Sequence, residues 1–241
     1  MTLLAVERIK LFSTRSPWWC SVTALALTIG FAAMMGLSAD EGITVDQALM
    51  GYQFGLMVVL VLAALAVTTE YRFGTIRATF QAAPNRVAVL VAKAGVVAAL
   101  AFVVGEIASF GSWGVAQAFA AGPELAIDTA GEWRQIVGVG PLFALSAVLA
   151  VGVGALLRQS AGAVTLLIVW SLLVERLLGL VPNIGEDLVD WMPFVAASRF
   201  LQSDLMGGNS PLGPWASLAY FAVIAFAVLG VAAAVVHRRD A

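Results

Sequence analysis

The feature that most constrains this chain is a succession of apolar blocks, each about as long as a bilayer is thick. A hydrocarbon core of about 30 Å is crossed by about 20 helical residues at 1.5 Å rise each. Six blocks reach that length: about Trp18 to Leu37, Leu49 to Thr69, Val87 past Ser112, Ile136 to Leu157, Ala161 to Val181 and Trp215 to Val236. Runs such as Leu56 to Val67 lack the alternation of a barrel strand. Helices are then the remaining way to satisfy the backbone in lipid. Only 12% of the residues are charged, about half of what a water-covered domain carries. We therefore expect an all-α, polytopic membrane protein, with residues 1–241 forming a single transmembrane domain. The first apolar run is of spanning length and lacks a short signal core with a small-residue cleavage site, so we read it as a retained helix.

Charge gives the expected orientation. Arg8, Lys10, Arg15, Arg72, Arg77, Arg86, Lys93, Arg158, Arg238 and Arg239 make ten of the thirteen basic residues, and all fall on one side of a six-span layout. Asp40, Glu41, Asp46, Glu124, Asp128, Glu132, Glu186, Asp187, Asp190 and Asp204 fall in the alternate loops. Basic loops stay in the cytoplasm, so both termini are expected there, in a cell membrane. The abundance of Ala, Val and Gly hints at a GC-rich genome, and we expect a bacterial one. No basic cluster with interleaved aromatics points to nucleic acid. With Cys20 and His237 the only residues of their kinds, neither an intrachain disulfide nor a metal site is expected.

Three segments outside the spans carry information. In residues 1–17, Ala5, Ile9 and Phe12 share one helical face and Glu7, Lys10 and Thr14 another. Pro17 permits a turn before Trp18 and Trp19, which suit an aromatic belt. This reads as an interfacial helix leading into the first span. In residues 70–86, Thr75 is expected to cap a short helix, Pro84 to end it, and Ile76 and Phe80 to give it an exposed apolar side that needs a partner. The segment 182–214 is rich in Pro and Gly yet holds Trp191-Met192-Pro193-Phe194 and a helical pattern at Phe194, Ala197 or Ser198, Leu201 and Leu205. Two short helices dipping back into the outer leaflet would explain its apolar content.

Within the spans, Glu106 lies deep, near Ser109 and Ser112, and intramembrane carboxylates usually face protein or water. The readings open to it are contact with a cationic substrate or a partner helix, a protonated and hydrogen-bonded carboxyl, or a place near the external end of a long tilted helix. Glu175 and Arg176 are adjacent and so pair with other groups, not each other. Gly51 and Gly55 form a small-x-x-x-small pattern that fits close helix packing or a subunit interface. Tyr52, Phe54, Met57, Trp113 and Trp170 line an apolar path or serve as ordinary packing.

The loop Glu70-Tyr71-Arg72-Phe73-Gly74-Thr75, followed by Pro84, Arg86 and Lys93, resembles the corresponding loop of type-2 ABC exporter permeases. The N-terminal pattern Glu7-Arg8-x-Lys10-Leu11-x-x-x-Arg15-Ser16-Pro17-Trp18 is also similar to that family's start. With the six-span layout, the resemblance covers nearly the whole chain. It implies that 1–17 is an elbow helix, that 70–86 carries a coupling helix, and that 182–214 is an external gate of re-entrant helices. It further implies that Glu7, Arg8, Glu70, Arg72, Thr75, Ile76, Arg77 and Phe80 contact an ATP-binding cassette subunit. No Gly-x-x-x-x-Gly-Lys-[Ser/Thr] loop is present. ATP and magnesium would therefore bind the partner, and this chain would hold no cofactor and be no enzyme itself. Two permease chains, identical or different, would enclose a path for a hydrophobic or amphipathic drug, lipid or peptide. Glu106, Tyr52 and Met57 are the candidate path residues. The competing expectation is a proton-coupled secondary transporter with Glu106 as relay, although such carriers usually keep several intramembrane ionisable groups. A structural assembly factor is a further alternative, and nothing supports an intramembrane enzyme.

Overall fold

A computed structural model describes residues 2–38, 42–83, 85–119, 125–182, 184–202 and 211–238. Pro84 and Leu205 lie outside the described residues, as do Asp40, Glu41, Glu124, Asp204 and Arg239. Helices account for all regular structure among the described residues. They are α1 (Leu3–Phe12), α2 (Ser16–Ser38), α3 (Val45–Leu49), α4 (Tyr52–Arg72), α5 (Thr75–Ala82), α6 (Arg86–Phe119) and α7 (Ala130–Leu157). Then come α8 (Ser160–Val169), a π-helical turn over Trp170–Val174, α9 (Glu175–Leu178), α10 (Gly185–Asp190), α11 (Pro193–Arg199) and α12 (Pro214–Arg238). Six helices are long and apolar enough to cross a membrane: Ser16–Ser38, Val45–Arg72, Arg86–Phe119, Ala130–Leu157, Ser160–Leu178 and Pro214–Arg238. The chain is a polytopic, all-helical protein suited to a membrane.

Helix α7 is the centre of the bundle. Within its most apolar stretch 72% of the residues are buried, against 17% for the α8–α9 span. It packs on α4, α6 and α12. Small residues make this possible. A Cβ on Gly105 of α6 would stand 2.9 Å from the Cα of Gly140 and 3.0 Å from the carbonyl oxygen of Val139, so the two backbones touch at this crossing. Pro141 follows directly, where the α7 backbone already lacks a donor. Phe143, Phe221 and Leu60 fill the core around α7 and are fully buried. Gly51 and Gly55 pack against Thr28 and Phe31 of α2, which is the close packing the sequence suggests.

Helix ends follow local rules. Thr129 and Glu132 form a capping box at the start of α7: the Glu132 amide donates to Thr129 Oγ1 (3.2 Å) and the Thr129 amide to Glu132 Oε2 (2.8 Å). Thr44 and Gln47 repeat the device at α3. Thr75 is not a cap. It is the first residue of α5, and Gly74 holds the preceding position at φ +71°. The left-handed backbone at that tight turn suits glycine. Thr75 Oγ1 instead donates back to the carbonyl of Glu70, at 3.4 Å. Asn85 caps α6 by accepting from the Ala88 amide at 3.0 Å.

Candidate functional site at the basic end

Helix α1 has the two faces its sequence shows, with the apolar one turned outward. Leu4, Ile9 and Phe12 are exposed, while Glu7 is only 4% exposed. An outward apolar face suits a helix lying in lipid, and it leaves the charged face to meet the protein.

What Glu7 meets is a buried charge cluster. Lys93 of α6, 5% exposed, donates to a carboxylate oxygen of Glu7 and, at 2.9 Å, to Glu70 Oε1 at the end of α4. Lys10 donates to Glu7 Oε1 at 2.9 Å, to Glu70 Oε1 at 3.4 Å and to Thr79 Oγ1 of α5 at 2.9 Å. Two acids and two lysines thus join four helices with no net charge. Burying charges is costly unless they are paired and hydrogen-bonded, and here each lysine bridges both acids. The Gly74 turn folds α5 back so that Thr79 reaches Lys10.

The apolar residues of α5 also face inward. Ile76 is buried and Phe80 is half-buried against the main core, with the Arg86 guanidinium 5.2 Å from its ring centre. The exposed apolar side expected at Ile76 and Phe80 is therefore corrected. In a helix this short only one side can touch the bundle, and the apolar side is the one that gains from burial. Arg72, Phe73, Arg77, Ala78 and Gln81 are exposed instead, and Arg72 lies 5.6 Å over the ring of Phe73. Of the residues assigned to a partner surface, Arg8, Arg72, Thr75 and Arg77 are exposed; Glu7, Glu70, Ile76 and Phe80 are engaged within the chain.

A cavity of about 530 Å³ adjoins the cluster, walled by α1, the start of α2, α4, α5 and α6. Glu7, Lys10, Glu70 and Lys93 line its polar part, and Leu62, Leu65, Ala66, Val96 and Val97 its apolar part.

The other candidates lie elsewhere. Glu106 is partly buried, its carboxylate against Gly140 at the α6–α7 crossing, and Ser109 beside it donates to the Ile136 carbonyl at 2.6 Å. Tyr52 and Met57 are half-buried against the core, and Met57 Sδ accepts from Ser171 Oγ at 3.4 Å. Glu106 and Met57 thus engage different elements. Trp113 donates to the Leu125 carbonyl at 2.9 Å, as a packing residue would.

Sequence reasoning missed the role of Glu175 at the opposite end. This carboxylate is 1% exposed. It accepts from the amides of Phe194 (3.0 Å) and Val195 (2.8 Å) and from Trp170 Nε1 (3.0 Å). It thereby ties the start of α11 to the π-helical turn. Arg134 donates to the carbonyls of Phe200 and Gln202 at 3.0 and 2.7 Å, and Arg199 binds Asp190. Segment 182–202 thus contains two short helices anchored to the bundle. Pro193 at the first position of α11 was the legible signal. A helix start there leaves amides that need an acceptor.

No family profile and no curated protein matches the chain.

Proposed function

We propose that this chain is the permease subunit of an ATP-driven ABC exporter, with its basic end in the cytoplasm. The observation that carries the reading is the buried cluster. Glu7, Lys10, Glu70 and Lys93 stand in two separate stretches that resemble the family, and they converge on one junction. In this reading α1 is the elbow helix and α5 the coupling helix. The cluster makes α1, α4, α5 and α6 move together, so a push on α5 reaches two spans.

The docking face for the ATP-binding cassette subunit is then Arg72, Phe73, Arg77, Ala78 and Gln81, with Arg8 beside it. Ile76 and Phe80 act from beneath by holding α5 to the bundle. Magnesium and ATP belong to the partner. The α8–α9 span exposes Leu166, Trp170, Leu173 and Leu177, which suits a second permease copy. Between the copies would run the path for a drug, lipid or amphipathic peptide, gated by 182–214. A proton-coupled carrier is the second reading, and it is favoured by Glu106, whose Oε1 is buried without a hydrogen-bond partner among the described residues.

The test is co-purification with a cassette ATPase and stimulation of its hydrolysis. Arg77→Glu together with Phe73→Ala should release the ATPase while the permease keeps its own melting temperature. Transport without ATP by the chain alone would overturn the exporter reading.

A further inference from the structure

A second cavity, a groove of about 830 Å³, lies where α1 crosses α6. Its floor is a stripe of α6 in which Gly95, Ala99 and Val103 recur every four residues, flanked by Val96 and Leu100. Eight residues at 1.5 Å rise make that stripe about 12 Å long. The stripe belongs to a membrane-spanning helix and lies beyond Lys93 from its basic start at Arg86. Small residues hollow it out. A Cβ on Gly95 would meet only Leu4 within 4 Å, at 3.9 Å, and Ala99 is exposed. Helix α1 forms the rim, and the rim is polar in one sense only. Arg8 and Thr2 are the polar side chains there, and no carboxylate lines the groove among the described residues. Glu7, next to Arg8 in the chain, turns into the buried cluster, where Lys10 and Lys93 take its two oxygens. That cluster is neutral in itself, so the charge of Arg8 is left over. Arg8 is exposed and pairs with no acid among the described residues.

We infer that this groove is a binding site for one anionic phospholipid of the bilayer, its phosphate held by Arg8 at the rim and an acyl chain laid along Gly95, Ala99 and Val103. A guanidinium presents five N–H donors in a fork that fits two oxygens of a phosphate. The apolar stripe supplies the other half of the recognition, because a chain seated in it keeps α6 covered at bilayer depth. Charge selects the lipid. The rim has no carboxylate to answer the ammonium of a choline or ethanolamine head, so a head of net negative charge is the one that Arg8 balances. An apolar helix of another protein chain would fill the stripe and leave the Arg8 charge unanswered. The site goes beyond the transport reading: it needs α6 in a bilayer and no ATPase.

The test is native mass spectrometry of the full chain, delipidated in mild detergent and offered equal amounts of phosphatidylglycerol and phosphatidylcholine with the same acyl chains. The first lipid retained should be phosphatidylglycerol, by about tenfold, the scale of one charge-assisted contact. Arg8→Gln should bring the two lipids to parity. Arg15→Gln removes an exposed cation that does not line the groove, and should keep the preference. Ala99→Trp fills the stripe without touching the charge cluster and should lose the retained phosphatidylglycerol. Arg8 and Ala99 are both exposed, so neither variant should shift the unfolding midpoint, which confirms that each is folded. Equal retention of the two lipids by the unaltered chain would overturn the site. So would an equal loss of preference in Arg8→Gln and Arg15→Gln, which marks diffuse surface charge. If Ala99→Trp keeps its phosphatidylglycerol but changes the oligomeric mass, another protein chain covers the groove and the lipid site falls.

Discussion

Lys93→Met tests whether the buried cluster holds the basic end together. Lys93 is the least exposed cation of the four charges and touches both acids. Removing it leaves Glu7 and Glu70 with Lys10, whose side chain is 33% exposed but stays within 2.9 and 3.4 Å of their oxygens. Breaking a buried pair by deleting one partner costs about 3–5 kcal/mol. Lys10 takes up part of the imbalance, so we place the loss near the lower figure, about 3 kcal/mol. For a chain of this size that lowers the unfolding midpoint by about 6–12 °C. Lys10→Met removes a cation that water already screens, and should cost about 1 kcal/mol, or about 2–4 °C. The sharper expectation concerns a double variant. Glu7→Leu with Lys93→Met leaves one acid and one lysine, Glu70 and Lys10, and restores neutrality. It should be more stable than Lys93→Met alone, a coupling of opposite sign to simple addition. Thermal unfolding of the purified protein in detergent reads all three. Equal midpoints for Lys93→Met and Lys10→Met, or a double variant less stable than Lys93→Met, would refute the pairing logic.

Further expectations use the same assay. Gly105→Ala places a methyl group against backbone atoms of Gly140 and Val139, which cannot rotate away, so α6 and α7 must separate at a cost of about 1–3 kcal/mol. Gly30→Ala, where a Cβ meets nothing within 4 Å, should leave the midpoint unchanged or slightly raised. Glu175→Leu leaves the Phe194 and Val195 amides and Trp170 Nε1 without their acceptor and should expose 182–202 to added protease at its own rate, ahead of global unfolding. Ile76→Asp buries an unpaired charge and should lower the midpoint of this chain on its own, whereas Arg77→Glu on the exposed side should not. Together they separate the face that holds α5 from the face offered outward.

Much of the architecture was legible because lipid imposes a length. Five of the six helices contain their apolar block whole, and the fifth, Ser160–Leu178, stops three residues short of the Val181 end of its block. The ends were less legible. Helix α6 runs on to Phe119 and α7 begins at Ala130, ahead of its apolar block, because capping and polar side chains extend a helix beyond the residues that need lipid. The Thr129–Glu132 box was readable as a start; the packing of Glu175 on α11 was not, since it joins residues 19 and 20 positions apart. The charge cluster was less accessible still. Glu7 and Lys93 are 86 positions apart and Lys10 and Glu70 are 60 apart, and no local pattern announces which acid will meet which lysine.

The opposite orientations of α1 and α5 have a deeper cause. Helical periodicity says which residues share a face; it does not say which face turns inward. In water the answer is supplied by the solvent, and apolar residues go inside. At a bilayer surface both solvents are present, so an apolar face has two favourable destinations and a charged face has one more than usual. Helix α1 sends Leu4, Ile9 and Phe12 outward and Glu7 inward, while α5 buries Ile76 and leaves Arg77 exposed. The difference lies in what each helix rests on. Beneath α1 stands Lys93, a cation inside a bundle that must be neutralised. Beneath α5 Ile76 is buried and Phe80 packs against the apolar core. The orientation of each helix is thus set by the least tolerable group on its neighbour, and that is a property of the assembled bundle, not of either helix alone.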